Sequence, residues 1–151
     1  MGKLVNPLET LVGYQLRRAS SAAMAEVGRN LEILGVTPTE ASVLLLISLN
    51  ADTTQSGIGR ALGIQRANMA PLTARLEQAG LIVRSRADGR SHALRVTATG
   101  EMLCGQILTT FQAHDAQMLR RLPPTLRDSL RAALGGLHLS SARRRSPQND
   151  A

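Results

Sequence analysis

Aromatic side chains are nearly missing from this chain: one Tyr, one Phe and no Trp among 151 residues. Binders of single-stranded nucleic acid stack bases on aromatic platforms, so that class is disfavoured from the outset. A lone cysteine, Cys104, leaves no disulfide framework and no cysteine zinc cluster within one chain. The three histidines stand far apart at His92, His114 and His138, and no Ser/His/Asp or paired-carboxylate spacing stands out. No metal, no cofactor and no enzymatic activity are therefore expected. No apolar run approaches the roughly 18 residues of a membrane span, and the first residues lack the apolar core of a secretion signal. A soluble cytoplasmic protein without a membrane partner is expected.

Acidic residues are scarce in one place above all. Residues 53–97 hold seven Arg against only Glu77 and Asp88, a net +5 of the chain's +7. The residues before this segment sum to −1 and those after it to +3, the latter including Arg143, Arg144 and Arg145. A basic excess confined to one stretch is what a phosphate-binding surface requires.

Hydrophobic spacing places the elements. Leu8, Val12, Leu16, Ala19, Ala23, Val27, Leu31 and Leu34 recur at intervals of three and four, predicting one long helix from about Pro7 to Leu34, ended by Gly35. Thr37-Pro38-Thr39-Glu40 predicts a capped second helix. Thr54 caps a third through Leu62, in which Gly59 implies a close helix–helix approach and Gly57 has no evident reason. A fourth helix, Arg66 to about Ala79, has Ile64 and Met69 as a hydrophobic staple and Met69, Leu72, Leu76 and Ala79 as its buried stripe. A hairpin follows. With Asp88-Gly89 as a two-residue turn, Val83 pairs with Leu94 and Leu81 with Val96, leaving Arg84, Arg86 and Arg95 on the outer face. Thr97 caps a fifth helix to about Arg121, with the stripe Leu103, Ile107, Phe111, His114, Met118 and Leu122. After Pro123-Pro124, Leu126, Leu130, Leu134 and Leu137 mark a sixth helix, and a disordered basic tail is expected from residue 141.

The fold class expected is thus mainly α with a small β-hairpin wing. It is a winged helix-turn-helix lobe at 37–97, between an N-terminal dimerisation helix at 1–36 and C-terminal dimerisation helices at 98–140. Such a lobe puts one helix in a groove of double-stranded DNA and a wing beside it. Gln65, Arg66 and Asn68 at the start of the fourth helix, with Thr73, are the candidates for polar base contacts. Ala67, Ala70, Pro71 and Ala74 form a strip without side-chain donors or acceptors, suited to thymine methyl groups and close approach. Arg84, Arg86 and Arg95 are candidate phosphate positioners. The competing reading makes the alanine strip a protein-docking face, giving a winged-helix interaction module without ligand sensing. The basic wing favours DNA, because a protein partner would need a matching acidic surface.

Two segments carry a family resemblance: RLEQAGLIVR at Arg75 to Arg84, and DGRSHALRVTATG at Asp88 to Gly100. Over roughly residues 7–140 the chain resembles the MarR transcriptional regulators. The second segment is similar to their Asp-x-Arg wing and Leu-Thr-x-x-Gly helix entry, with Val96 in place of Leu. Gly57, and Pro71 within the recognition helix, depart from the pattern. The resemblance implies a homodimer joined by the first, fifth and sixth helices and a pseudo-palindromic operator. It also implies repression relieved by a small, often aromatic or phenolic, ligand, and it places Arg90 in the minor groove. A solvated turn arginine paired with Asp88 is the plainer alternative for Arg90. The implied ligand pocket would draw on Tyr14, Arg17, Arg18, Phe111 and His114, a set suited to a small anionic aromatic molecule. The first three serve equally as interface or surface residues, His114 as a core or pH-sensitive residue, and Cys104 as a structural residue.

Overall fold

Short-range capping decides where most elements begin. In a computed structural model of the chain, residues 5–50, 52–86 and 92–143 are described. Asn6 accepts from the Leu8 backbone N–H and opens a single 3-10 turn, Pro7–Thr10. Leu11 is extended, with ψ 124°, and α1 (Val12–Glu32) starts only after it. The expected unbroken helix is therefore a turn followed by a helix. Pro7 and the Asn6 cap fix the turn locally, and the extended Leu11 separates it from α1. The chain leaves α1 through Gly35, at φ 74°, which a side chain would strain.

Thr37 and Glu40 form the reciprocal capping box of α2 (Pro38–Leu49). Thr54 ends the two-residue strand β1 (Thr53–Thr54) and caps α3 (Gln55–Leu62) by accepting from the Gly57 N–H at 3.1 Å. A Cβ at Gly57 would make only an ordinary contact with the Thr54 hydroxyl at 3.4 Å, so nothing in the structure explains this glycine. Gly59 is the expected close approach, since its Cβ would meet Met69 Cγ at 3.0 Å and the Ile64 carbonyl at 3.1 Å. The fourth helix, α4, spans Arg66–Gln78.

The wing strands β2 (Ile82–Arg86) and β3 (His92–Val96) pair antiparallel, and β1 adds to the far edge of β3, giving the order β1-β3-β2. The register differs by one residue from the expected one. Ile82 faces Val96, Val83 faces Arg95 and Arg84 faces Leu94. A one-residue slip exchanges the faces of a strand: Ile82 and Leu94 are buried, while Val83 is 48% exposed. Arg84 accordingly shares a face with Leu94 and not with Arg95. The Asp88-Gly89 turn lies outside the described residues, but an Arg86–His92 pair encloses an odd number of residues, which a two-residue loop in a continuous ladder does not.

Thr97 accepts from the Gly100 N–H and starts α5 (Ala98–Arg120); α6 spans Pro124–Arg143, past the expected start of the tail. Two compact units divide the chain, Met1–His114 and Asp115–Ala151. In the first, Leu31, Val43, Leu44, Ile58, Met69, Leu76, Ile82, Leu94 and Ile107 form one core. Thr73, with no exposure, takes the α4 core position expected of Ala79, which is exposed. Its hydroxyl is satisfied by the Met69 and Ala70 carbonyls, so burial costs little. Cys104 is buried with its thiol directed at the Leu44 carbonyl, and burial pushes its pKa up, away from the reactive thiolate. In the second unit Arg131 pairs with Asp115, and Arg127 donates to the Leu122 carbonyl.

Candidate nucleic-acid interface

The first turns of α4 bury Met69 in the core and expose most of their other side chains. Gln65, Arg66, Ala67, Asn68, Ala70 and Pro71 are all exposed, and Ala74 is half-buried. Gln65 is the N-cap but makes no side-chain capping bond, so its amide is not committed to the helix end. Six of the candidate base-facing residues are therefore accessible. Thr73 does not join them. It is fully buried, and its hydroxyl is spent on Met69 and Ala70 and lies 3.3 Å from Gln55 Oε1, so it is withdrawn as a base contact.

Between α3, the start of α4 and the wing lies an open cleft of about 630 Å³ whose lining includes Gln55, Ser56, Arg60, Arg66 and Arg84. Among the described residues, neither Arg60 nor Arg66 has a carboxylate partner. The cleft thus joins uncompensated cationic side chains to the polar first turn of α3, a setting for an anion. Gln55, Ser56 and Arg60 were not singled out from sequence. The Thr54 cap was the available signal, because it places Gln55 and Ser56 in a helical first turn.

The wing arginines are partly neutralised within the chain. Arg84 Nε donates to Glu77 at 2.9 Å, and Arg84 Nη2 donates to Thr73 Oγ1 at 3.4 Å. Arg95 pairs with Asp52 at 2.5 Å, tying β3 to the residue before β1, which holds a left-handed φ of 55°. Both pairs are solvent-exposed and worth only about 0–1 kcal/mol, so a phosphate can displace either carboxylate. Arg90 and the Arg86 side chain lie outside the described residues.

The candidate ligand residues fall into two groups. On α1 the Arg17 and Arg18 guanidiniums lie 5.1 and 5.8 Å from the Tyr14 ring centre, and the Tyr14 hydroxyl accepts from Asn6 at 3.0 Å. Stacking cations on the ring holds two exposed positive charges together. Phe111 packs against the core, and His114 is buried with Nδ1 lacking a hydrogen-bond partner. No hydrogen bond or ring contact among the described residues joins the Tyr14 cluster to Phe111 or His114. Among the same residues no group of His, Cys, Asp or Glu is placed to hold a metal ion, and no helix is long and apolar enough to cross a membrane.

A family model described as MarR family matches residues 34–91, from just after α1 to the residue before β3. The chain is 30% identical over 130 residues to a putative transcriptional regulatory protein for the hcr operon of Thauera aromatica, covering 84% of this chain and 78% of that one. Its fold matches the transcriptional repressor CouR bound to a 23-mer DNA duplex, with a TM-score of 0.84 and 30% identity over 91% of this chain and 99% of that one. CouR bound to p-coumaroyl-CoA gives a TM-score of 0.83 at 28% identity, over 91% and 98% of the two chains. A Mycobacterium tuberculosis MarR family protein in complex with salicylic acid gives 0.70 at 27%, over 85% and 97%. A winged lobe with an exposed recognition helix, matched in sequence and fold across most of its length, makes this chain a member of the MarR family of transcriptional regulators.

Proposed function

We propose that the chain is a homodimeric cytoplasmic repressor, without catalytic activity, that binds a pseudo-palindromic operator in double-stranded DNA and is released by a small aromatic effector. The observation that carries the DNA contact is the exposed start of α4 beside the arginine-lined cleft. Gln65, Arg66 and Asn68 then meet base edges, while Arg60 and the wing arginines Arg84, Arg86 and Arg95 hold phosphates. Arg90 enters the minor groove, where negative potential is concentrated. Footprinting on a duplex selected by the full chain is expected to show two protected major-groove segments about 10 base pairs apart, centre to centre. A single protected segment would contradict the dimeric reading.

Dimerisation is supported by apolar surface left open in each unit. Leu8, Leu11, Val12 and Leu16 are exposed in the first unit and Leu126, Leu134 and Leu137 in the second. A soluble chain seldom leaves such surface to water. Sedimentation at micromolar concentration is expected to give twice the chain mass, and a folded monomer would refute the proposal.

The effector reading rests on Tyr14, Arg17 and Arg18, an aromatic ring held beside two cations, and on relatives solved with p-coumaroyl-CoA and salicylic acid. An aromatic acid or its thioester releases DNA only by binding better to the dimer that cannot span both half-sites. Release by salicylate or p-coumaroyl-CoA is expected to need a higher effector concentration in Arg17→Ala. Release that is unchanged in Arg17→Ala and in His114→Ala would remove these side chains from the site.

A further inference from the structure

Pro71 sits inside α4, on its exposed surface. Proline has no N–H, and its ring crowds the carbonyl four residues earlier, so position 71 offers no helical hydrogen bond to the Ala67 carbonyl. Residues four apart lie on one helix face. Ala67 and Pro71 are both exposed, and the open acceptor therefore lies on the accessible side of the helix. Two neighbouring carbonyls carry a side-chain donor: Thr73 Oγ1 donates to Met69 O at 3.1 Å and to Ala70 O at 3.2 Å.

Around that acceptor the surface is bare. Ala67, Ala70, Pro71 and Ala74 contribute no side-chain donor or acceptor, and none of them extends far enough to hold a neighbouring molecule away from the backbone. A proline within a helix lowers its stability. Here it also leaves a main-chain acceptor on this strip without its usual helical donor.

We infer that the Ala67 carbonyl is a main-chain specificity contact, with Pro71 as the residue that frees and positions it. This rests on the operator reading above. In the major groove the groups that donate to such an acceptor are the exocyclic amines, adenine N6 and cytosine N4. The apolar neighbours favour adenine, because the thymine of an A·T pair presents its C5 methyl on the same groove edge, where Ala70 or the Pro71 ring can cover it.

The test compares wild type with Pro71→Ala, which restores the N–H and closes the helical bond. A duplex is selected from a random pool by the full chain, and each base pair of a half-site is then replaced in turn, symmetrically in both halves. Pro71→Ala is expected to be at least as thermally stable as wild type, and its own affinity for random duplex is the baseline from which its discrimination is scored. It is expected to lose about tenfold discrimination at a single position of the half-site. At that position, deleting only the amino group, with purine for adenine or 2-pyrimidinone for cytosine, weakens wild type and leaves Pro71→Ala unaffected. The responsive analogue names the base. Identical penalties in the two proteins would overturn the inference, as would an equal loss at every position, which would mark a change of helix shape. A wild-type protein that selects no sequence at all would refute the operator reading itself.

Discussion

Gly100→Ala is expected to destabilise the protein by about 3–5 kcal/mol. A Cβ at this position would stand 2.1 Å from the Leu81 carbonyl oxygen and 3.1 Å from its carbon. The obstacle is backbone, and that backbone is already committed: the Leu81 carbonyl accepts from the Thr97 N–H at 3.0 Å. Thr97 Oγ1 also donates to the Gly80 carbonyl at 2.7 Å while accepting from the Gly100 N–H at 3.0 Å. The end of α4, the root of the wing and the first turn of α5 therefore meet at one knot, and no side chain there can swing aside. Relief requires β2 to move away from α5, which displaces the wing. Denaturant unfolding at fixed protein concentration checks the loss, and a change below about 1 kcal/mol would show that the junction can relax. Duplex affinity is expected to fall even at temperatures where the variant stays folded.

Glu40→Ala is expected to cost about 2–4 kcal/mol. The Glu40 carboxylate is buried and accepts from the Thr37 N–H at 2.9 Å, the Thr37 hydroxyl at 2.8 Å and Arg75 Nε at 3.1 Å. Loss of a helix cap is worth about 0.5–2 kcal/mol, and donors left unpaired at a buried site add about 1–3 kcal/mol. Arg75 is largely exposed, so its own charge returns to water and adds little. Glu40→Gln retains an acceptor for Thr37 and is expected to lose about 1 kcal/mol, mainly the ionic part of the Arg75 contact. Because Arg75 belongs to α4, the alanine variant also loosens the recognition helix from α2. Equal stability of Glu40→Ala and wild type would mean that the capping box does not help to hold α2.

Local chemistry was the legible part of this fold. The capping box at Thr37, the Thr54 and Thr97 caps, Gly35 and Gly80 all act within a few residues of where they stand, and each marks an element boundary in the structure. The wing register was not legible. Leu81, Ile82 and Val83 are all apolar, so the strand gives no alternation, and the Asp88-Gly89 pair alone implied the wrong partner set. The core breaks the tie by taking Ile82. Thr53–Thr54 is too short to show a pattern, and it pairs with Leu94 and Ala93, some 40 positions away. Thr73 reads as polar in sequence, yet a threonine that bonds back to its own helix behaves as an apolar core residue. The exposed start of α4 followed from the sequence, whereas the cleft formed by Gln55, Ser56, Arg60 and Arg84 depends on how α3, α4 and the wing pack.

The most direct test of the account is the salt dependence of duplex binding by the full chain and by Arg90→Ala. Log affinity is expected to fall linearly with log salt, the slope counting the phosphates neutralised by the cleft and wing arginines. Arg90→Ala is expected to weaken binding by about 1–3 kcal/mol, with a shallower slope if that side chain neutralises a phosphate. Duplex affinity that does not change with salt, and does not change in Arg90→Ala, would contradict the assignment of this lobe to DNA.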